Sequence, residues 1–153
     1  MNEVVKRIAS EHEAVLQKLA EIKSRLKMKS SQKNTWKALK DLMNVLAEVK
    51  PHYVTERDFI FPELKKSARN NGVVDLLDLD HDYLEGMSLM IGGIVKNVIK
   101  NKDEKSQKFA ISYSFRVINS LEQHFSLEKS HIFSLCNKLT KEQQKKIMEN
   151  WAT

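Results

Sequence analysis

Apolar residues recur along four long stretches of this chain at spacings of three, four and seven, the period of a helix with one buried face. The first stretch, Glu3–Lys27, carries Val5, Ile8, Val15, Leu19, Ile22 and Leu26 on that face. The second, residues 35–68, carries Leu42, Val45, Leu46, Val49, Tyr53, Phe59 and Ile60. Pro51 and Pro62 fall inside it. A proline within a helix removes a backbone hydrogen bond, so the sequence predicts a kink there or an end near Pro62. The third stretch, residues 74–100, carries Val74, Leu77, Leu84, Ile91, Val95 and Val98, with Gly92 and Gly93 marking a close helix approach. The fourth, residues 105–137, carries Ala110, Val117, Leu121, Ile132 and Leu135. Polar segments at 29–34, 69–72 and 101–104 read as turns, with Gly72 as a helix stop. Thr140 and Gln143 form a capping box that opens a short last helix, whose apolar side is Ile147 and Trp151.

Six ionisable residues occupy positions that the apolar period marks as inward. His12 lies on the first stripe and His81 on the third. The second and fourth carry the same pattern, His52-x-x-x-Glu56 and His124-x-x-x-Glu128. Residues four apart share a helix face, so each pattern aims an imidazole and a carboxylate the same way. Burying an unpaired polar group costs about 1–3 kcal/mol, and an unpaired charge more. Six such groups need one another or a shared partner, and a pair of metal ions is the most economical one. His12 and His52 lie at similar distances from the turn at 29–34, and His81 and His124 from the turn at 101–104. The second-to-third connection is out of step, because His52 lies 17 residues before Arg69 and His81 only 9 after Gly72.

Two histidines for each ion, two glutamates bridging both and an oxide or hydroxide bridge give about five ligands per ion. That leaves an open position on octahedral iron, whereas zinc prefers fewer ligands and manganese is a lesser alternative. Ferritin-type sites place Glu before His and use more carboxylates.

Composition narrows the remaining classes. A length of 153 residues suggests one domain, 1–153, with a bundle at 1–137 and the last helix at 140–151. Four Gly and two Pro leave little material for turns and favour a few long helices. No apolar run approaches the roughly 20 residues of a membrane span, and no signal-peptide core opens the chain. The net charge is +6, but the lysines are scattered and no nucleic-acid motif accompanies them, so neither nucleic acid nor membrane is an expected partner. Cys136 stands alone, which excludes an internal disulfide and suits a reducing cytoplasm.

The residues then resemble a known family. The segment His52-Tyr-Val-Thr-Glu56-Arg-Asp-Phe-Ile-Phe61-Pro62-Glu-Leu64 is similar to the His-x-x-x-Glu and Phe-Pro-x-Leu signature of the hemerythrin-like, HHE cation-binding family. His124-Phe-Ser-Leu-Glu128-Lys-Ser-His-Ile-Phe133-Ser134 echoes it, with Ser134 where Pro is common. Glu11-His12-Glu13 and Asp80-His81-Asp82 complete the set. The resemblance spans nearly all of residues 1–137 and implies an all-α, antiparallel up-and-down four-helix bundle around a non-haem di-iron centre. It implies that His12 and His52 serve one iron, His81 and His124 the other, and that Glu56 and Glu128 bridge.

The chain departs from the oxygen-carrying members. Glu85 stands where they have a second histidine on the third helix, and His124-x-x-x-Glu128 replaces a His-x-x-x-x-Asp pattern. More carboxylate favours oxidised iron over reversible O2 carriage. Glu85 is either a seventh ligand or a surface carboxylate, and His131 flanks the site one turn beyond Glu128. Phe59, Phe125, Leu84 and Leu121 are candidates to wall the site. Tyr53 and Tyr113 are candidates to donate a hydrogen bond to a bound oxygen species, or simply to pack. The expected function is binding of, or reaction with, O2, peroxide or nitric oxide, with a peroxide- or NO-reactive enzyme as one form of it. Iron handling or sensing and a metal-free helical interaction module are the alternatives.

Overall fold

A computed structural model describes residues 1–28, 30–67 and 72–151. Four rods surround the core. They are α1 (Glu3–Lys27), α2 (Gln32–Thr55) with its continuation, α4 (Gly72–Asn101) and α5 (Glu104–Cys136). The second rod continues through a π-helical turn, Glu56–Ile60, into α3 (Phe61–Ser67), and α6 (Lys141–Glu149) follows the bundle. No strand occurs among the described residues. Each rod packs on its chain neighbours, and α1 also packs on α5, which closes the ring.

Cross-helix pairs fix the directions. As α1 runs from His12 through Lys18 to Arg25, its partners on the second rod run back from His52 through Glu48 to Asp41. Between α1 and α5 the order is also reversed, His12 meeting Glu128 and Lys23 meeting Glu122. The bundle is antiparallel, as the resemblance implied.

Helix ends follow capping chemistry. Asn2, Ser31, Asp103 and Thr140 each accept a hydrogen bond from a backbone N–H in the first turn of the helix they precede. The Ser31 cap starts α2 at Gln32, three residues before the expected position. The capping box at Thr140 and Gln143 is formed. Gly72 opens α4 rather than stopping the preceding helix. Residues 68–71, where the turn and the end of the second helix were expected, lie outside the described residues, as does Lys29.

The second rod differs most from expectation. It neither ends nor breaks at the prolines. Pro51 lies inside α2, and the chain passes Pro62 after a π turn in which the Phe61 N–H donates to the Glu56 carbonyl, five residues back. The extra residue in that turn rotates everything after it by about 100°. Phe61 therefore takes the inward position expected of Phe59, which is only half-buried, while Ile60 and Leu64 are fully buried. The mismatched connection has a separate resolution. His81 meets Glu56, not His52, and Glu56 lies eleven residues before Ser67 where His81 lies nine after Gly72.

The apolar core is divided. One cluster runs from Leu19, Leu42 and Leu46 to Ile91, Ile118 and Leu121. The other joins Val5 and Ile8, Phe61 and Leu64, Val74 and Ile132 to Ile147 and Trp151 of the C-terminal segment. Full burial of a side chain such as Ile147 contributes about 1.5–3 kcal/mol, which seats α6 over this end of the bundle. Between the clusters lies a layer of buried polar side chains. Gly92 faces Met43, 3.2 Å from where a Cβ would stand, so the close approach is real there. A Cβ at Gly93 would meet nothing within 4 Å, so the expectation fails for that residue.

Candidate metal centre

Each rod delivers its part of the polar layer by helical register. His12, His52, Glu56, His81, His124 and Glu128 are all buried, four of them with no exposed surface. The structure brings all six sequence candidates together. They form two overlapping groups of ligand-type atoms, His12, His52, Glu56 and Glu128 in one, Glu56, His81, His124 and Glu128 in the other. Within each group the atoms lie within 4.8 Å of one another.

The two carboxylates belong to both groups, one oxygen to each side. Glu56 sets Oε1 2.8 Å from His52 Nε2 and Oε2 2.8 Å from His81 Nε2. Glu128 sets Oε2 2.8 Å from His12 Nε2 and its other oxygen against His124 Nε2. His12 Nε2 and His52 Nε2 are 3.0 Å apart. Both oxygens of each carboxylate, and Nε2 of His81 and His124, are buried without a well-angled hydrogen bond despite these short distances. Ligand-type atoms of four helices converge here in two groups. Two imidazoles and two carboxylate oxygens per group are a donor set suited to a divalent first-row metal, and the residues fit a cation pair.

Without cations, the charges lean on the imidazoles. Burial alone would depress the His81 pKa, but Glu128 and Glu56 beside it prevail and lift it to about 9. Burial would raise Glu128, yet contacts with His12, His124, His52 and His81 hold it well below the usual carboxylate range. Bound cations would replace those protons with fixed positive charge.

Carboxylates outside the layer aim two of the imidazoles. Glu11 Oε2 lies 2.7 Å from His52 Nδ1, and Asp80 Oδ2 lies 2.7 Å from His124 Nδ1. A histidine that donates Nδ1–H to a carboxylate has its Nε2 lone pair free for a metal. Sequence reasoning did not assign these roles, though Glu11 and Asp80 flank His12 and His81 in the signatures. A residue one position from an inward histidine is turned about 100° around the helix and meets the next rod. Acids stand on both sides of each histidine, and Asp82 instead pairs with Arg57 at 3.1 Å.

Aromatic rings line the layer. Phe125 stacks on His12 with centroids 4.0 Å apart, and Tyr53 stacks on His81 at 4.6 Å. Phe61, not Phe59, stacks on His81 at 5.5 Å. Leu84 and Leu121 are buried in the adjoining apolar cluster. Burial, with Glu128 and Glu56 nearby, raises the Tyr53 pKa and keeps its hydroxyl protonated. Tyr113 is half-buried beside Phe109, away from the layer. Glu85 lines a groove between α2 and α4 and joins neither group. His131 is exposed on α5 and also joins neither. Cys136 is buried and its thiol is pushed up to about 12, chiefly by burial, so it is inert at neutral pH.

Among the described residues no helix is long and apolar enough to cross a membrane. The family profile described as the hemerythrin HHE cation binding domain matches residues 3–136. No curated protein and no solved structure gives a significant match.

Proposed function

We propose that this chain, which belongs to the hemerythrin HHE cation-binding family, is a non-haem di-iron protein that binds or reacts with O2, peroxide or nitric oxide. The observation that carries the reading is the sharing of Glu56 and Glu128 between two histidine pairs. Two carboxylates that each turn one oxygen to either side would serve as the bridging ligands of a dinuclear site. His12 and His52 would hold one iron and His81 and His124 the other, with an oxide or hydroxide completing the bridge. Side chains then supply fewer than six donors to each ion, which leaves room for an exogenous ligand. When bound, the iron pair supplies Lewis acidity and two one-electron redox centres to a small oxygen- or nitrogen-containing ligand.

The protein's own residues set the conditions. Phe125, Phe61 and Tyr53 pack on the imidazoles and supply apolar walls to the layer. Glu11 and Asp80 hold His52 and His124 in one tautomer. Tyr53, whose ring stacks on His81, retains its proton and is a candidate donor there. A reducing, cytoplasmic setting agrees with a lone buried thiol.

Metal analysis and absorption spectroscopy of the protein as isolated test the reading. Two irons per chain and a near-ultraviolet band of a bridged ferric pair are expected, both abolished in His52→Ala. A response of that band to added peroxide or nitric oxide, and its reversal, separates a reactive protein from a carrier. Iron that leaves readily to a mild chelator points to iron handling. Less than one iron per chain overturns the di-iron reading, and stoichiometric zinc replaces it.

A further inference from the structure

The C-terminal segment reaches the centre through a chain of side-chain contacts. Trp151 follows α6, lies beyond the matched residues 3–136, and is buried against the end of the bundle. Its indole Nε1–H donates to Glu11 Oε1 at 2.8 Å. The other oxygen of that carboxylate accepts from His52 Nδ1 at 2.7 Å. The Arg7 guanidinium sits 4.9 Å over the indole ring, and its Nε is 3.7 Å from Glu11 Oε1. A cavity of about 320 Å³ between α1 and α2 has Glu11, His52 and Trp151 together in its wall.

A carboxylate on the flank of a helix samples several rotamers, and Glu11 is one-third exposed. An indole N–H fixed by a buried ring selects the rotamer in which the second oxygen faces His52. Supporting groups of this kind decide whether a ligand stays within the narrow geometry a metal requires.

We propose that Trp151 is a positioning residue for the His12/His52 half of the centre: by holding Glu11, it orients His52 and sets how firmly that half retains its metal. The C-terminal segment thereby makes the two halves unequal, since displacement of Trp151 loosens one ion and not the other. The proposal rests on the dinuclear reading above.

Trp151→Phe keeps the apolar ring and removes only the donor. In the iron-loaded protein challenged with a chelator, the variant is expected to release one of its two irons about tenfold faster than the parent, with the other unchanged. Glu11→Gln gives the same split, and the double variant is no faster than Glu11→Gln alone, because both act through one contact. Asp80→Asn affects the other ion and adds to Trp151→Phe. Release of both irons at parental rates, or full additivity of Trp151→Phe with Glu11→Gln, overturns the proposal. A second readout needs no metal. The His52 Nδ1–H proton resonance of the metal-free chain should be visible in the parent and shifted or lost to exchange in Trp151→Phe. If the parent binds no metal but this resonance responds, the dinuclear reading fails and the positioning role stands. If metal binds and neither rate nor resonance responds, the reverse holds.

Discussion

Asp80 is the sequence neighbour of His81, yet its carboxylate supports His124 on the next helix, with Oδ2 2.7 Å from Nδ1. The candidate ligand pair of one half of the centre is thus braced crosswise, the helix that supplies one histidine also steadying the other. Asp80→Asn leaves the shape and weakens the acceptor. Metal affinity of the His81/His124 half is expected to fall about 10–100-fold. Because Asp80 is partly exposed, thermal stability of the metal-free chain should hardly change. Chelator competition set beside thermal melts checks this, and parental retention of both ions refutes it.

The π turn makes a prediction about two phenylalanines two positions apart. Phe61 is fully buried and stacked on His81, whereas Phe59 is half-buried. Phe61→Ala should cost about 3–5 kcal/mol of stability, and Phe59→Ala well under half of that. Denaturant unfolding of both variants measures the difference. Equal costs would mean that the rod continues as a plain α-helix through residues 56–60.

A buried carboxylate outside the metal layer, Glu63, ties α3 to α6. Lys146, at 2.6 Å, and Lys66, at 2.9 Å, hold the Glu63 carboxyl down to about 2 from its ordinary 4.5. A depressed carboxyl stabilises the fold wherever it is ionised in both states, above about pH 4.5, and that stability disappears as the pH falls toward 2. Glu63→Gln should therefore lower the melting temperature at neutral pH, and its gap from the parent should close between about pH 4.5 and pH 2. Comparing the two proteins at each pH cancels the acid titration of the metal layer, which they share. A gap independent of pH over this range would show that the ionised carboxylate contributes nothing.

The paired glycines of α4 should respond differently to alanine. A Cβ at Gly93 meets open space, so Gly93→Ala is expected to stabilise the chain by about 0.5–1 kcal/mol through helix propensity alone. At Gly92 the new methyl would lie 3.2 Å from Met43 Cε, and the gain should shrink or vanish unless that flexible side chain moves aside. Melting curves of the two single variants decide the order.

Much of this protein can be read from periodicity. Val5, Ile8, Leu19 and Ile22 recur at helical spacing because only one face of α1 meets the core, and its predicted bounds are those observed. His52 and Glu56, like His124 and Glu128, point inward together because four residues nearly complete a helical turn, a relationship that holds before any tertiary contact forms. The inward direction of all six polar residues was therefore a property of the chain. Their convergence was not, because depth along a rod depends on where neighbouring rods begin. Alignment of His81 with Glu56 in place of His52 was set by the packing of α4 on the second rod, which also carries a π turn. That turn is invisible to a pattern that assumes a constant 3.6 residues, and so the reading favoured Phe59 over Phe61. Which of the flanking acids meets an imidazole is likewise decided by the neighbouring helix. Glu11 and Asp80 face one, while Asp82 meets Arg57. Trp151 reaches Glu11 across 140 positions of sequence, a contact that only the packing of α6 on α1 creates. Local geometry chose the face of each helix, and the register of one helix against another chose the partners.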